Sequence, residues 1–156
     1  MDRPLWLGRW QWNFLGRDLG FSQSDIALRE QAAASLALSG ATYRGPYTAF
    51  SSAGGGQLDG FAAGDEDRYD VSQCMMETAY QYRGFSWQQE LHWKRVHDTD
   101  VGAVTELTGL YCQAGLFPHT FIAEIPRPLE VALRYATVDP DRNQASDRQT
   151  EVTLGC

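Results

Sequence analysis

The chain has 156 residues, 43% of them apolar and 21% charged, and its 20 acidic and 13 basic side chains give a net charge of −7. That length suits one domain able to enclose a core or a barrel, and the composition is too apolar for disorder and too polar for a helical membrane protein. A net-negative chain with one lysine, Lys94, and twelve scattered arginines excludes a nucleic-acid partner.

No apolar run approaches the roughly 20 residues of a membrane helix. The 12% aromatic content and 15 glycines are the bias of a strand-rich protein. Cys74, Cys112 and Cys156 form no close pair, which argues against a disulfide framework or a zinc knuckle. Met1-Asp2-Arg3-Pro4 lacks the features of a signal peptide, so the expectation is a cytoplasmic protein or a chain beginning downstream of its natural start.

Period-2 alternation predicts an all-β fold of about seven strands in a single segment, residues 1–156. The first runs from Trp6 to Phe14, with Trp6, Trp10, Trp12 and Phe14 against Arg9, Gln11 and Asn13. The second, Ala34 to Tyr43, sets Leu36 and Leu38 against Ser35, Ala37 and Ser39. One helix candidate, Ser24 to Gln31, precedes it, with a capping residue and good helix formers. A long flexible loop is expected over 44–73, containing Gly54-Gly55-Gly56 and the acidic Gly64-Asp65-Glu66-Asp67.

The third strand, Met75 to Gly84, and the fourth, Phe85 to Val96, are joined at Arg83-Gly84 with almost no loop, a tight hairpin. The fourth sets Phe85, Trp87, Leu91 and Trp93 against Gln88, Glu90, His92 and Lys94. Val104 to Leu116, Leu129 to Val138 and Thr150 to Cys156 complete the set. The expected topology is an antiparallel up-and-down meander, with short turns at Gly84 and over Phe117 to Pro128 at one end and long loops at the other.

Alternation says only that one face is dry. In a soluble, lipocalin-like barrel that face turns inward around a small apolar ligand. In an outer-membrane barrel it turns to lipid, and the polar face lines the lumen. Large aromatics near strand ends and ionisable groups in mid-strand (Arg9, Glu77, Glu90, Lys94, Glu130, Arg134, Glu151) fit the membrane case, while a solvated surface fits the soluble one.

Several collinear stretches carry a family resemblance. They are Phe21-Ser22-Gln23-Ser24-Asp25, Tyr82 to Glu90, His92-Trp93-Lys94, Tyr111 to Pro118, Arg127 to Ala136, Val138 to Asp141 and Thr150 to Gly155. Together they resemble the phosphate-selective porin O and P family. The resemblance implies part of a longer bacterial outer-membrane β-barrel, a passive channel for small solutes with a preference for anions such as phosphate. It implies outer-membrane lipid as partner and a homo-oligomeric parent, with no reaction and no cofactor. Seven strands would leave an open edge, so these residues are not expected to conduct alone.

The pore-lining candidates are Arg9, Arg83, Gln88, Glu90, Lys94 and Arg134. Cations mixed with Glu77, Glu90 and Glu130 predict a modest anion preference without tight phosphate binding. Arg83 and Lys94 are expected to project to the polar face of the Gly84 hairpin. Catalysis and metal binding find no support. His92, His97 and His119 lack ligand spacing, and Gly54-Gly55-Gly56 lacks the ending of a phosphate loop and reads as a flexible linker. In Asp139-x-Asp141-x-Asn143, Gln144 takes the place of the required calcium-loop glycine. Cys112 reads as a packing residue.

Overall fold

A computed structural model describes residues 4–156 apart from 17, 18, 20, 21, 52, 53 and 145. Met1 to Arg3 of the amino-terminal reading, Phe21 of the family resemblance, and Ser52 and Ala53 beside the glycine run lie outside the described residues.

The long strands are β1 (Trp6–Leu15), β2 (Ala33–Gly45), β5 (Tyr69–Tyr82), β6 (Phe85–Asp98), β7 (Ala103–Leu116), β8 (Val131–Asp139) and β9 (Gln149–Gly155). They form one seven-stranded sheet in the order β1-β2-β5-β6-β7-β8-β9, every neighbour antiparallel. The expected all-β meander is therefore present. The sheet is open, with β1 and β9 each paired on one side only.

The β5–β6 hairpin turns on two residues because Arg83 and Gly84 both take positive φ (47° and 81°), matching the right-handed twist of the strands. Gly84 is also a point of close approach. A Cβ there would sit 3.0 Å from Thr120 Cγ2 and 3.1 Å from Leu28 Cδ2, so two loops close over the turn.

Three expectations are corrected. The loop begins after Gly45 and ends before Tyr69, because Tyr69 to Gln73 continue β5 in register with β2 and β6. Within it, β3 (Ala49–Ser51) and β4 (Gly54–Gly56) pair as a hairpin, with the Tyr47 ring against Gly55, so the glycines admit a ring where a Cβ would clash. Ser24 to Gln31 forms turns and no helix. Leu28 has φ 49°, and the Asp25 carboxylate, which a helix would keep for its own first turn, instead accepts the Gly84 amide (2.8 Å) as well as that of Arg29 (3.0 Å). A tertiary contact outbids a short, costly helix nucleus.

The loops are not sorted by length. The Gly84 end carries 16–32, the tight turn and 117–130, the last with a 3-10 turn at Pro118–Thr120. The Asp98 end carries 46–68, the short 99–102 and 140–148. The 99–102 turn is tight because Asp98 Oδ1 accepts the Asp100 amide (3.0 Å) and Gly102 takes φ 71°.

Residues opposite one another across the ladder share a face, so the register sorts every side chain. One face carries Trp10, Leu38, Met76, Leu91 and Leu110 in one row, and Trp87, Ala114 and Leu133 in another. All five tryptophans, Trp6, Trp10, Trp12, Trp87 and Trp93, lie on it, with Tyr135. The other face carries Gln11, Gln88, Glu90, Lys94 and Arg134, as the alternation predicts.

The packing of the two faces is the reverse of a soluble β-protein. The buried strand residues Ala33, Ala37, Tyr69, Val71, Gln81, Ser86, Val96 and Asp98 all lie on the polar face; among the described residues Ala34 is the exception. Tyr69, Val71 and Val96 form the core, covered by Leu58 and Phe61 of the 46–68 loop, with Phe61 edge-on to Tyr69 at 5.9 Å. At the other end Gln81 binds the Ser22 carbonyl (2.8 Å) and accepts from Arg29 Nε (2.9 Å), which ties down the 16–32 loop. The aromatic face is left open: Trp10 and Trp12 are 53% and 55% exposed, Leu154 76%.

Candidate functional site

The polar face between the two docked loops is the candidate site. It is built by β1, β2, β5, β6, β7 and β8, whose alternate residues all point to it. Small side chains on β2 (Ser35, Ala37, Ser39, Ala41) leave room above that strand, and the longer chains of β1 and β5 meet across it. Arg9 thus reaches Glu77, with Nη2 and Nε donating to Oε2 at 2.7 and 3.3 Å, while Nη1 donates to Gln11 Oε1 at 2.8 Å. Gln11 passes the contact on to Asn13 (3.0 Å).

A second chain of contacts runs over β6, β7 and β8. The Arg134 guanidinium stands 4.7 Å from the Tyr111 ring, and the Tyr111 hydroxyl donates to Glu90 Oε1 at 2.7 Å. His92 Nε2 lies 3.0 Å from Glu90 Oε2. Glu77 and Glu90 face each other directly across the β5–β6 ladder, an unfavourable like-charge pair. Arg9 on one side and Tyr111 with His92 on the other hold the two carboxylates in place.

Two clefts open here. One, of about 480 Å³, is lined by Leu7, Arg9, Ser39, Gln73, His92 and Lys94 among others. The other, of about 280 Å³, is lined by Gln11, Ser22, Ser35, Glu77, Gln81 and Gln88. Gln88 Oε1 is buried there with no hydrogen-bond partner in the protein.

Of the six sequence candidates, Arg9, Gln88, Glu90, Lys94 and Arg134 share this face. Arg83 does not. It sits in the two-residue turn with its guanidinium 5.2 Å from the ring of Tyr82, a residue of the opposite, aromatic face. A positive-φ turn residue leaves the strand's alternation, so counting by twos past Tyr82 fails. Tyr111 joins the others, and its place between Leu110 and Cys112, in step with Gln113, marks it in the sequence as a polar-face residue.

At the Asp98 end the mouth of this face is framed by ion pairs. Arg68 donates to Asp98 (Nη2–Oδ2 2.8 Å) and lies 3.4 Å from Asp100, and its carbonyl accepts the Thr99 amide (2.9 Å). The hydrogen bond from Arg68 holds the Asp98 carboxyl below the usual carboxylate range and raises the guanidinium in turn. On the opposite face at the same end Arg44 pairs with Asp70, and the hydrogen bond raises the guanidinium. A cleft of about 380 Å³ beside Arg68 and Asp98 is lined by Asp59, Phe61, Tyr69, Asp141 and Asp147.

The calcium-like stretch folds on itself. Asp141 Oδ1 accepts from the Asn143 amide (3.0 Å), its Oδ2 from Gln144 (3.1 Å), and Asp139 pairs with Arg148 (3.1 Å). Among the described residues no three His, Cys, Asp or Glu side chains converge as a metal site. Cys74 and Cys112 lie on the open aromatic face, and all three cysteines are unpaired.

No helix among the described residues is long and apolar enough to cross a membrane. Comparison with protein-family models, curated proteins and solved structures returns no match for this chain.

Proposed function

We propose that this sheet is a wall segment of an outer-membrane β-barrel, a porin-like passive channel for small solutes, with the aromatic face toward lipid and the polar face toward the lumen. The observation that carries this reading is the slanted edge of the open apolar band. On β1 the band extends to Trp6, which is in register with Ser72; on β9 it stops at Val152, in register with Thr78. Beyond that edge the same face turns mostly polar, with Arg44, Asp70, Arg95, His97, Glu106 and Asp139 and one apolar residue, Val104.

From β1 to β9 the edge moves six residues over six strand steps, an average of one residue per strand. With a rise of about 3.3 Å per residue and strands about 4.8 Å apart, a horizontal band requires a strand tilt of about 35°. Transmembrane barrels tilt their strands by roughly 35–45°. On β6 the band spans Phe85 to Trp93, about 26 Å along the strand and about 22 Å along the normal at that tilt. The lipid-facing belt of such barrels is about 25 Å tall. A soluble surface has no reason to keep its apolar edge in one inclined plane.

The soluble, lipocalin-like reading needs the tryptophans enclosed, and they lie on the open face. Because all five tryptophans share that face, their fluorescence is a direct test. The chain is reconstituted in phosphatidylcholine vesicles with and without bromine on the acyl chains. Strong quenching by the brominated lipid, with protection from aqueous acrylamide, is expected. A chain that stays folded and monomeric in plain buffer, with no quenching by brominated lipid, would sink the proposal.

A further inference from the structure

We infer that the lumen face selects neutral, polyhydroxylated solutes over anions or cations, an inference that rests on the channel reading above. Between the docked loops the charged strand residues of that face are Arg9, Lys94 and Arg134 against Glu77, Glu90 and Glu151, three of each sign. Ion selectivity requires rings or ladders of one sign. Here both signs share the face: Glu77, Glu90 and Glu151 lie in one register row, and Arg9 and Arg134 stand beside that row and engage it. Arg9 is held in a forked contact on Glu77, and Arg134 is stacked on the tyrosine that donates to Glu90. Glu151 accepts from Thr153 at 2.6 Å. The anion bias expected from the sequence treats these cations as acting alone.

With Arg9 engaged by Glu77 and Arg134 by the Tyr111–Glu90 pair, the amides remain to interact with a passing solute. Gln11, Asn13, Gln88 and Gln113 lie on the same face, the last two directly opposite each other. An amide presents donors and acceptors together, as does a sugar hydroxyl, so each can exchange water for solute without a change in charge. Gln88 Oε1, buried and unmatched within the protein, is an acceptor held ready for such a donor.

The test uses the complete polypeptide that contains this chain, reconstituted in phosphatidylcholine vesicles and planar bilayers. Glucose, gluconate and glucosamine serve as neutral, anionic and cationic probes of similar size. Glucose is expected to enter at least about threefold faster than either ion, and the K⁺/Cl⁻ permeability ratio to stay within about twofold of unity. Arg9→Gln leaves Glu77 without its partner and moves the ratio toward K⁺ by about threefold or more, while Glu77→Gln moves it equally toward Cl⁻. A native ratio beyond about fivefold in either direction, or ratios unchanged in both variants, would overturn the inference. Brominated-lipid quenching on the same vesicles separates the two claims. Quenching without glucose entry refutes the solute class alone, and absence of quenching removes the channel reading and this inference with it.

Discussion

Gln88 and Gln89 offer a controlled experiment within the chain. They are the same residue type, adjacent on β6, and the register puts them on opposite faces: Gln88 opposite Ala79 and Gln113, Gln89 opposite Thr78 and Cys112. Gln89 stands midway between Phe85 and Trp93, at the centre of the apolar band. Arginine at the midplane of a lipid-facing barrel strand costs about 2–4 kcal/mol, and a neutral amide already bears part of that penalty. Gln89→Arg is therefore expected to destabilise the lipid-embedded protein by about 2 kcal/mol, roughly a 30-fold shift of the folding equilibrium.

Gln88→Arg places the same charge on the polar face, two residues from Glu90, and is expected to cost less than about 1 kcal/mol. Gln89→Leu should stabilise, because the only polar interruption of that row on β5 and β6 is the facing pair Thr78 and Gln89. The assay is urea unfolding in phosphatidylcholine vesicles, followed by tryptophan emission. If Gln88→Arg costs as much as Gln89→Arg, or more, the assignment of faces to lipid and lumen is wrong.

Other expectations concern the docked loops. Val96→Ala removes two methyl-sized groups from a fully buried site and should cost about 2 kcal/mol, and Tyr69→Phe about 1 kcal/mol through the lost bond to the Ala62 carbonyl (2.8 Å). Both should speed proteolysis within 46–68 while leaving cleavage of 16–32 unchanged. Asp25→Ala should do the reverse, costing about 2–3 kcal/mol because the Gly84 and Arg29 amides lose a charged acceptor. The Asp98 carboxyl titrates lower in the folded protein than in the unfolded chain, so the stability it lends is present above its unfolded pKa, about 4. That stability is lost as pH falls through the lower folded value. Protease resistance of 46–68 should thus hold at pH 5–7 and fall below about pH 4, and Asp98→Asn should abolish the transition.

The parts of this fold that sequence reveals are those set by period. Strand alternation in Trp6 to Phe14 or Phe85 to Val96 depends on which residues share a face, and a buried or lipid-covered face imposes that strictly. The parts that sequence hides are set by contacts between distant residues. Tyr69 to Gln73 carry their apolar residues in the opposite phase to Met76, Tyr80 and Tyr82, since Tyr69 and Val71 face the docked loop while Asp70 pairs with Arg44 on the far side. Asp25 looks like a helix cap until Gly84, distant in sequence, claims its carboxylate. The site shows the same division. That Arg9, Glu90 and Arg134 share a face follows from counting by twos; that each is matched by a partner depends on the register between strands and on the small residues of β2, which leave room for Arg9 to reach β5.

Strand direction constrains how such a wall could close. Across six antiparallel steps β1 and β9 return to the same direction, so joining these edges directly would create a parallel pair. Two copies joined β1 to β1 and β9 to β9 would pair antiparallel, but one copy would then be inverted, with its Gly84 end at the other membrane surface. Antiparallel closure that keeps every Gly84 end at one membrane surface therefore calls for an odd number of additional strands between β9 and β1, which makes the total even, as in bacterial single-chain barrels. The exposed edges carry little to oppose such pairing. β1 presents no proline or lysine, and Trp6, Trp10 and Trp12 continue the apolar band out to the edge itself. Substituting Gly8 with proline, on the edge strand at a position where nothing lies within 4 Å of a new Cβ, is expected to spare the described sheet and to block assembly of the complete barrel. Loss of heat-resistant mobility on gels, with the β2–β8 protease-resistant core retained, is the expected result. A Gly8→Pro protein that assembles normally would show that β1 is not a closing strand.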